Sequence, residues 1–108
     1  MCGIAGMMTI GRDGPPADVL ARLAAALAHR GPDGQGEYRH GNVGLIHNRL
    51  AIIDLATGDQ PLREAGGAVL VANGEIYNYV ELRAAMQNAA FTTQSDCEPP
   101  LLDRKSVV

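Results

Sequence analysis

The sequence has 108 residues, enough for one small domain, and its hydrophobic fraction of 46% is normal for a globular protein. The formal net charge is −3 and no stretch is rich in lysine or arginine, so we expect neither nucleic acid nor a membrane surface as a partner. No apolar run approaches the roughly 18 residues that span a bilayer, and the first residues lack the pattern of a signal peptide, which favours the cytoplasm.

The first half of the chain predicts a strand, a helix and a second strand. Residues 4–10 are apolar and flanked by glycines, as in a short buried strand. Residues 18–30 carry leucines and alanines at helical spacing, and Gly-Pro follows, so we predict a helix that ends there. The glycine-rich residues 31–36 are predicted to form a loop, and residues 43–47 a strand.

The second half continues with strands and a helix. Residues 50–53 could form a short strand or a turn, residues 57–61 a loop, and the apolar residues 68–72 a buried strand. A helix is predicted to begin at Asn78, where Glu81 three residues later suggests a capping box. The alternation of strands and helices indicates an α/β or α+β domain.

Cysteines and histidines are few, and most of them suggest no chemistry. Cys2 and Cys97 do not form a disulfide framework, and we expect free thiols, with Cys97 as a small packed residue. The three histidines lack the spacing of metal ligands, so we predict structural or surface roles for them and no metal site: His29, His40 and His47.

Cys2 is the exception, because of its position. A small side chain after the initiator methionine favours removal of Met1, which would make Cys2 the first residue of the mature chain. A thiol is a strong nucleophile once deprotonated, and a terminal α-amino group, with a reference pKa of about 8, can accept its proton. Nucleophile and base would then share one residue. From position alone, an ordinary small residue after methionine is the commoner case.

Six short motifs, each weak alone, follow one another in a specific order: MCGIAG at 1–6, HRGPDG at 29–34, RLAIID at 49–54, GDQPL at 58–62, NGEIYN at 73–78 and SDCE at 95–98. Together they resemble the class II, or N-terminal cysteine, glutamine amidotransferases, and within these the glutaminase domain of the asparagine synthetases. The resemblance implies an α+β fold, the four-layer αββα sandwich of the N-terminal-nucleophile hydrolases. Residues 1–102 would be the amino-terminal portion of that domain.

The resemblance also implies a reaction. The thiolate of Cys2 would attack the side-chain amide of L-glutamine, release ammonia and leave a γ-glutamyl thioester, which water converts to glutamate. Asn73 and Gly74 match the oxyanion hole of the family, and an asparagine amide and a glycine N–H are neutral donors suited to developing negative charge. From the Asn-Gly dipeptide alone, a tight turn is the better interpretation.

Asn73 and Gly74 also match positions that bind the substrate glutamine, and five further residues complete that set. Arg49 would hold the α-carboxylate, since a guanidinium can bind a carboxylate through two parallel hydrogen bonds. Glu75 and Asp96 would lie near the α-ammonium. Ile52 and Ile53 would line the same pocket by backbone and apolar contact. Without the motifs, these residues would be interpreted as surface charges and core side chains.

Other parts implied by the resemblance are absent from these 108 residues. An ATP-binding synthetase domain of the same parent chain would use ATP and Mg²⁺ to amidate aspartate, whereas the glutaminase half needs no cofactor. Residues 103–108 (DRKSVV) match what a sequencing adapter would encode, so we predict a non-native tail. An incomplete sandwich leaves strand edges and apolar faces open, and we expect the isolated chain to be poorly stable.

Two alternatives to a glutamine-hydrolysing asparagine synthetase remain open at this point. A sister amidotransferase with a different ammonia acceptor would carry the same glutaminase motifs, and only the synthetase domain would distinguish it. A non-catalytic or inactive truncated module would be favoured by an uncleaved Met1 or a replaced Cys2, and the sequence keeps Cys2.

Overall fold

A computed structural model describes residues 2–11, 13–51 and 58–103, and every structural statement below concerns these ranges. Within them, five strands and three helices follow one another along the chain: β1 Gly3–Met8, α1 Ala17–Leu27, β2 Gly34–His40, β3 Val43–Arg49, β4 Leu62–Arg63, β5 Val69–Leu70, α2 Tyr79–Ala85 and α3 Glu98–Leu102. Both sheets are antiparallel, which agrees with the predicted α+β class.

The larger sheet has the strand order β1-β3-β2, so β3 lies in the centre. Because side chains alternate along a strand, one face of this sheet is apolar and packs against α1. Ile46 of β3 meets Leu20 and Ala24 of α1, all three almost completely buried, and Ala5 and Met7 of β1 complete the cluster. This small core fixes the register of β3, and with it the residues that follow Ile46.

Helix α1 begins after two prolines and ends earlier than the sequence predicts. Pro16 is its N-cap, which is compatible with the fixed φ of proline. The last helical residue is Leu27 and not Arg30, because residues 28–31 turn away. Gly31 lies so close to the backbone carbonyl of Asn48 that a Cβ would collide with it. The close approach of the chain to β3 therefore ends the helix.

Strand β2 corrects the prediction that residues 31–36 form a loop, since the strand begins at Gly34. Its sequence, GQGEYRH, has no alternation of apolar residues because β2 lies at an edge of the sheet and its outer side chains are exposed. Gly36 allows the carbonyl of Gln60 to approach the sheet so closely that a Cβ would collide with it. The bounds of two predicted strands also differ: the strand predicted at residues 4–10 is Gly3–Met8, and the strand predicted at residues 43–47 continues to Arg49.

The small sheet β4–β5 lies on the opposite face of the larger sheet from α1. The guanidinium of Arg63 in β4 stacks over the ring of Tyr38 in β2, 5.2 Å from its centroid. A second apolar cluster joins Leu62 of β4 to Cys97 and Leu101 near α3. The predicted strand 68–72 is reduced to β5, and residues 58–61 are irregular as predicted.

The last two helices differ from the sequence prediction. Asn78 is the N-cap of α2 as predicted, but its side chain makes no capping hydrogen bond, so the predicted capping box is wrong. Helix α3 was not predicted. Its first residue, Glu98, is buried and accepts hydrogen bonds from the backbone N–H groups of Thr92 and Thr93, which fixes the loop before the helix.

Three layers are visible across the described ranges: α1, the three-stranded sheet and the β4–β5 pair. The four-layer sandwich is thus a proposal and not an observation. Residues 52–57 and 104–108 lie outside the described ranges. They include the second half of the possible strand at 50–53 and most of the predicted non-native tail. Among the described helices, none is long and apolar enough to cross a membrane.

Candidate active site

A cavity of about 150 Å³ brings together six of the residues that the sequence predicts for the site: Cys2, Arg49, Asn73, Gly74, Glu75 and Asp96. These residues come from four distant parts of the chain. The cavity is smaller than the roughly 300–1,000 Å³ typical of pockets for drug-sized ligands, and it suits a ligand of the size of one amino acid. The predictions for Ile52 and Ile53 fall outside the described residues.

Cys2 lies immediately before β1, and its position is fixed by hydrogen bonds on both the main chain and the side chain. Gly3 pairs with Asn48 of β3, and the Nε of Arg30 donates to the carbonyl of Cys2 at 3.2 Å. The backbone N–H of Leu50 donates to the Sγ of Cys2 at 3.3 Å. The thiol of Cys2 in turn donates to the carbonyl oxygen of Leu50 at 3.7 Å, so both main-chain groups of Leu50 position the sulfur.

Arg49 ends β3 and turns its side chain toward the cavity. The side chain is only 7% exposed, yet its Nη1 donates to Oδ1 of Asp59 at 2.7 Å, and Asp59 is 77% exposed. A nearly buried guanidinium therefore binds a carboxylate that is largely exposed to solvent. Asp59 belongs to the GDQPL motif, but no role was predicted for this residue.

Asn73, Gly74 and Glu75 are exposed residues in the irregular segment after β5. Gly74 does not have the positive φ of a left-handed turn, and no described atom lies within 4 Å of the position that a Cβ would occupy. Neither its backbone conformation nor a described neighbour thus requires glycine. The tight-turn interpretation loses its usual physical reason, and the open space beside Gly74 belongs to the cavity.

Asp96 is buried, and its Oδ2 accepts the backbone N–H of Ile76 at 2.6 Å. This bond joins the segment after Asn73 to the start of α3. Cys97 next to it is buried as predicted, although it also borders the cavity. Burial, together with the negative charge and a hydrogen bond of Asp96, raises the pKa of the Cys97 thiol to about 11. Cys97 therefore stays a neutral thiol at neutral pH, and it is a poor second nucleophile.

His47 and Gln60 also line the cavity, and neither residue was predicted from the sequence to belong to the site. His47 is 1% exposed, and its Nε2 lies 3.2 Å from the carbonyl oxygen of Ala72. Burial lowers its pKa below the usual value, so the ring is neutral at pH 7. A signal for His47 was present: it lies two residues before Arg49 in one strand, hence on the same face.

Across residues 2–11, 13–51 and 58–103, no three His, Cys, Asp or Glu side chains are placed to hold a metal ion together. The acidic and thiol groups that border the cavity are instead bonded within the chain, as with Asp96 and Cys2.

Comparison with known proteins identifies the family to which this domain belongs. The family described as "Glutamine amidotransferase domain" matches residues 1–103, nearly the whole chain. The chain therefore belongs to the glutamine amidotransferase domain family, and the resemblance inferred from the six motifs is confirmed.

Three relatives are glutamine-hydrolysing asparagine synthetases by name. Asparagine synthetase [glutamine-hydrolyzing] 1 of Arabidopsis thaliana is 47% identical over 100 residues, and the nodule enzyme of Pisum sativum is 45% identical over 100 residues. Asparagine synthetase [glutamine-hydrolyzing] 2 of Bacillus subtilis (strain 168) is 42% identical over 102 residues. Each alignment covers 91% of this chain but only 17%, 17% and 14% of the respective relative. The chain thus spans about one sixth of the length of these relatives.

Proposed function

We propose that this chain is the amino-terminal part of a glutaminase domain that hydrolyses L-glutamine through a thioester on Cys2. The observation that carries the proposal is the single small cavity in which Cys2, Arg49, Asn73, Gly74 and Asp96 meet. The cavity combines a nucleophile, candidate oxyanion donors, a guanidinium and carboxylates, and it lies in a chain of the glutamine amidotransferase family.

In the first half-reaction, removal of Met1 exposes the α-amino group of Cys2, which accepts the thiol proton. The Sγ attacks the side-chain amide carbon of glutamine and forms a C–S bond. The tetrahedral oxyanion accepts hydrogen bonds from the amide of Asn73 and the backbone N–H of Gly74. The C–N bond then breaks, and the α-ammonium group returns its proton to the departing nitrogen, which leaves as ammonia.

The second half-reaction regenerates the thiol. A water molecule, deprotonated by the α-amino group, attacks the thioester carbon, and the same donors stabilise the second oxyanion. The C–S bond breaks, glutamate leaves, and the sulfur recovers a proton. The N–H and the carbonyl of Leu50 hold the Sγ of Cys2 in position for both half-reactions.

Substrate binding uses the charges around the cavity. Arg49 binds the α-carboxylate of glutamine, and Glu75 and Asp96 lie near its α-ammonium. Because Arg49 already contacts Asp59, the substrate carboxylate would share or replace that contact. Ile52 and Ile53 are proposed to complete the pocket by backbone and apolar contact.

The wider assignment concerns the full-length parent. We propose a cytoplasmic enzyme whose complete glutaminase domain is a four-layer αββα sandwich. Its synthetase domain would use the ammonia, ATP and Mg²⁺ to convert aspartate to asparagine, and the glutaminase half would need neither ATP nor metal. The names of the relatives support this acceptor over others.

The test is Cys2→Ala in the full-length parent. We expect glutamine-dependent amidation to fall to background, whereas amidation with free ammonia continues, because glutamine hydrolysis and amidation use separate sites. Cys97→Ala is the matched cysteine control, and since the Cys97 thiol stays neutral we expect at most a few-fold change. Equal loss of both activities in Cys2→Ala would mean that Cys2 is structural and would contradict the proposal.

A further inference from the structure

The backbone of Ala72, directly before the proposed oxyanion donors, is held by two side chains from other parts of the chain. Its carbonyl oxygen lies 3.2 Å from Nε2 of His47, and its N–H donates to Oε1 of Gln60 at 2.7 Å. Ala72 follows β5 and has no strand partner of its own among the described residues. Hydrogen bonds from side chains thus take the place of hydrogen bonds between strands where the backbone enters the cavity.

The contact with His47 defines the state of the ring. A carbonyl oxygen can only accept, so Nε2 carries the proton and Nδ1 bears the lone pair. The ring cannot move easily, because His47 is 1% exposed and lies in the central strand opposite Ile4 on one side and Gly36 on the other. The donor is thus positioned by the register of the sheet and not by a flexible surface chain.

The contact with Gln60 restrains the N–H of Ala72, whereas the contact with His47 restrains its carbonyl. Gln60 precedes Pro61, and its own carbonyl rests against Gly36 of β2, so its backbone is positioned by the same sheet. One donor and one acceptor on Ala72 together restrain both peptide planes of that residue. The second of these planes contains the N–H of Asn73.

We infer that His47 and Gln60 are positioning residues, which hold Ala72 and thereby orient the hydrogen-bond donors of Asn73 and Gly74 toward the oxyanion. The inference rests on the proposed function, in which Asn73 and Gly74 bind the oxyanion. Oxyanion donors act by being preorganised, and a displacement of about 1 Å can cost about 100-fold in rate. The two residues affect the oxyanion and not the affinity for glutamine, which depends on charges elsewhere in the cavity.

The kinetic test compares two pairs of variants in the full-length parent. His47→Leu and Gln60→Met remove the donor and the acceptor with little change in volume, whereas His47→Gln and Gln60→Glu retain them. For the first pair we expect the kcat of glutamine hydrolysis to fall about 10- to 100-fold with KM within about threefold. The retaining variants should recover most of this loss. A change in KM alone, or retaining variants no better than apolar ones, would overturn the inference.

A second readout does not depend on activity. Hydrogen exchange followed by mass spectrometry should show the N–H groups of residues 72–74 exchanging roughly tenfold faster in Gln60→Met, since a hydrogen bond of ordinary strength is lost. Unchanged exchange in both Gln60→Met and His47→Leu would overturn the positioning role. If the unmodified parent hydrolyses no glutamine, the proposed function fails, and the exchange result alone decides whether the two side chains hold Ala72. Ammonia-dependent amidation reports only that the synthetase half is intact, and the retaining variants control for the fold of the glutaminase half.

Discussion

At the scale of single residues, Arg49 is the side chain whose observed partner differs most from the predicted one. The sequence assigned its guanidinium to the carboxylate of a substrate, and the structure shows it bonded to the carboxylate of Asp59. The two statements are compatible, because Asp59 is largely exposed and loses little when a second carboxylate approaches. On the proposed function, a substrate carboxylate at Arg49 would compete with Asp59 for the guanidinium.

This competition predicts opposite effects for two substitutions in the full-length parent. Arg49→Lys should raise the KM for glutamine about 10- to 100-fold, because the paired charge-assisted hydrogen bonds of the guanidinium are lost. Asp59→Asn should leave KM unchanged or lower it, since the competing charge is removed. Steady-state glutaminase kinetics measures both. An unchanged KM in Arg49→Lys would remove Arg49 from the substrate site, and a tenfold higher KM in Asp59→Asn would mean that Asp59 supports binding.

At the scale of secondary-structure elements, the sequence predicted those that build their own apolar face. Helix α1 and strand β3 carry such a pattern, and both were found, with errors at their ends. Strand β2 was missed because GQGEYRH is an edge strand whose glycine admits a neighbouring backbone, and such a contact leaves no periodic signal. The same is true of α3, which is fixed by the buried Glu98 and by packing that only the folded chain provides.

The close contact at Gly36 gives a prediction for β2. Gly36→Ala would force the new Cβ into the carbonyl of Gln60, and we expect a loss of about 1–3 kcal/mol in the free energy of unfolding. Gln35→Ala is the matched control, because Gln35 is exposed and lies on the opposite face of the strand, and its effect should stay within about 0.5 kcal/mol. Thermal denaturation of the parent compares the two. An equal effect of both variants would contradict the close approach.

The residues of the candidate site likewise fall into those that the sequence predicted and those that only the structure revealed. The motifs brought Cys2, Arg49, Asn73, Gly74, and Asp96 to attention, and the structure collects these residues in one cavity. Asp59 and Gln60 lie in one of the six motifs, and His47 lies two residues before Arg49, but their contacts form only when distant segments meet, so their roles were not predicted.

At the scale of the whole molecule, the described layers leave apolar surface uncovered. Ile4 and Met8 lie on the face of β1 that points away from α1, and both are exposed, as are Ile10, Tyr77 and Val80 elsewhere. The central cluster of Leu20, Ala24 and Ile46 is small by comparison. A chain with so small a core and such exposed residues gains little free energy from burial.

We therefore expect the 108-residue chain to be only marginally stable when produced alone. Differential scanning calorimetry should show no sharp cooperative transition, and the chain should aggregate at micromolar concentration. The full-length parent, measured under the same conditions, should unfold cooperatively in the region of the glutaminase domain. A sharp, reversible transition of the isolated chain would show that the small core suffices.

The distribution of the cavity residues along the chain has a consequence for biosynthesis. Cys2 leaves the ribosome first, whereas the cavity that surrounds its sulfur also needs Arg49, Asn73 and Asp96, so it cannot close until Asp96 has emerged. At about 5–20 residues per second, the nascent thiol waits on the order of ten seconds without its enclosing partners. Until that moment, the thiol depends on a reducing surrounding and not on the fold for protection against oxidation.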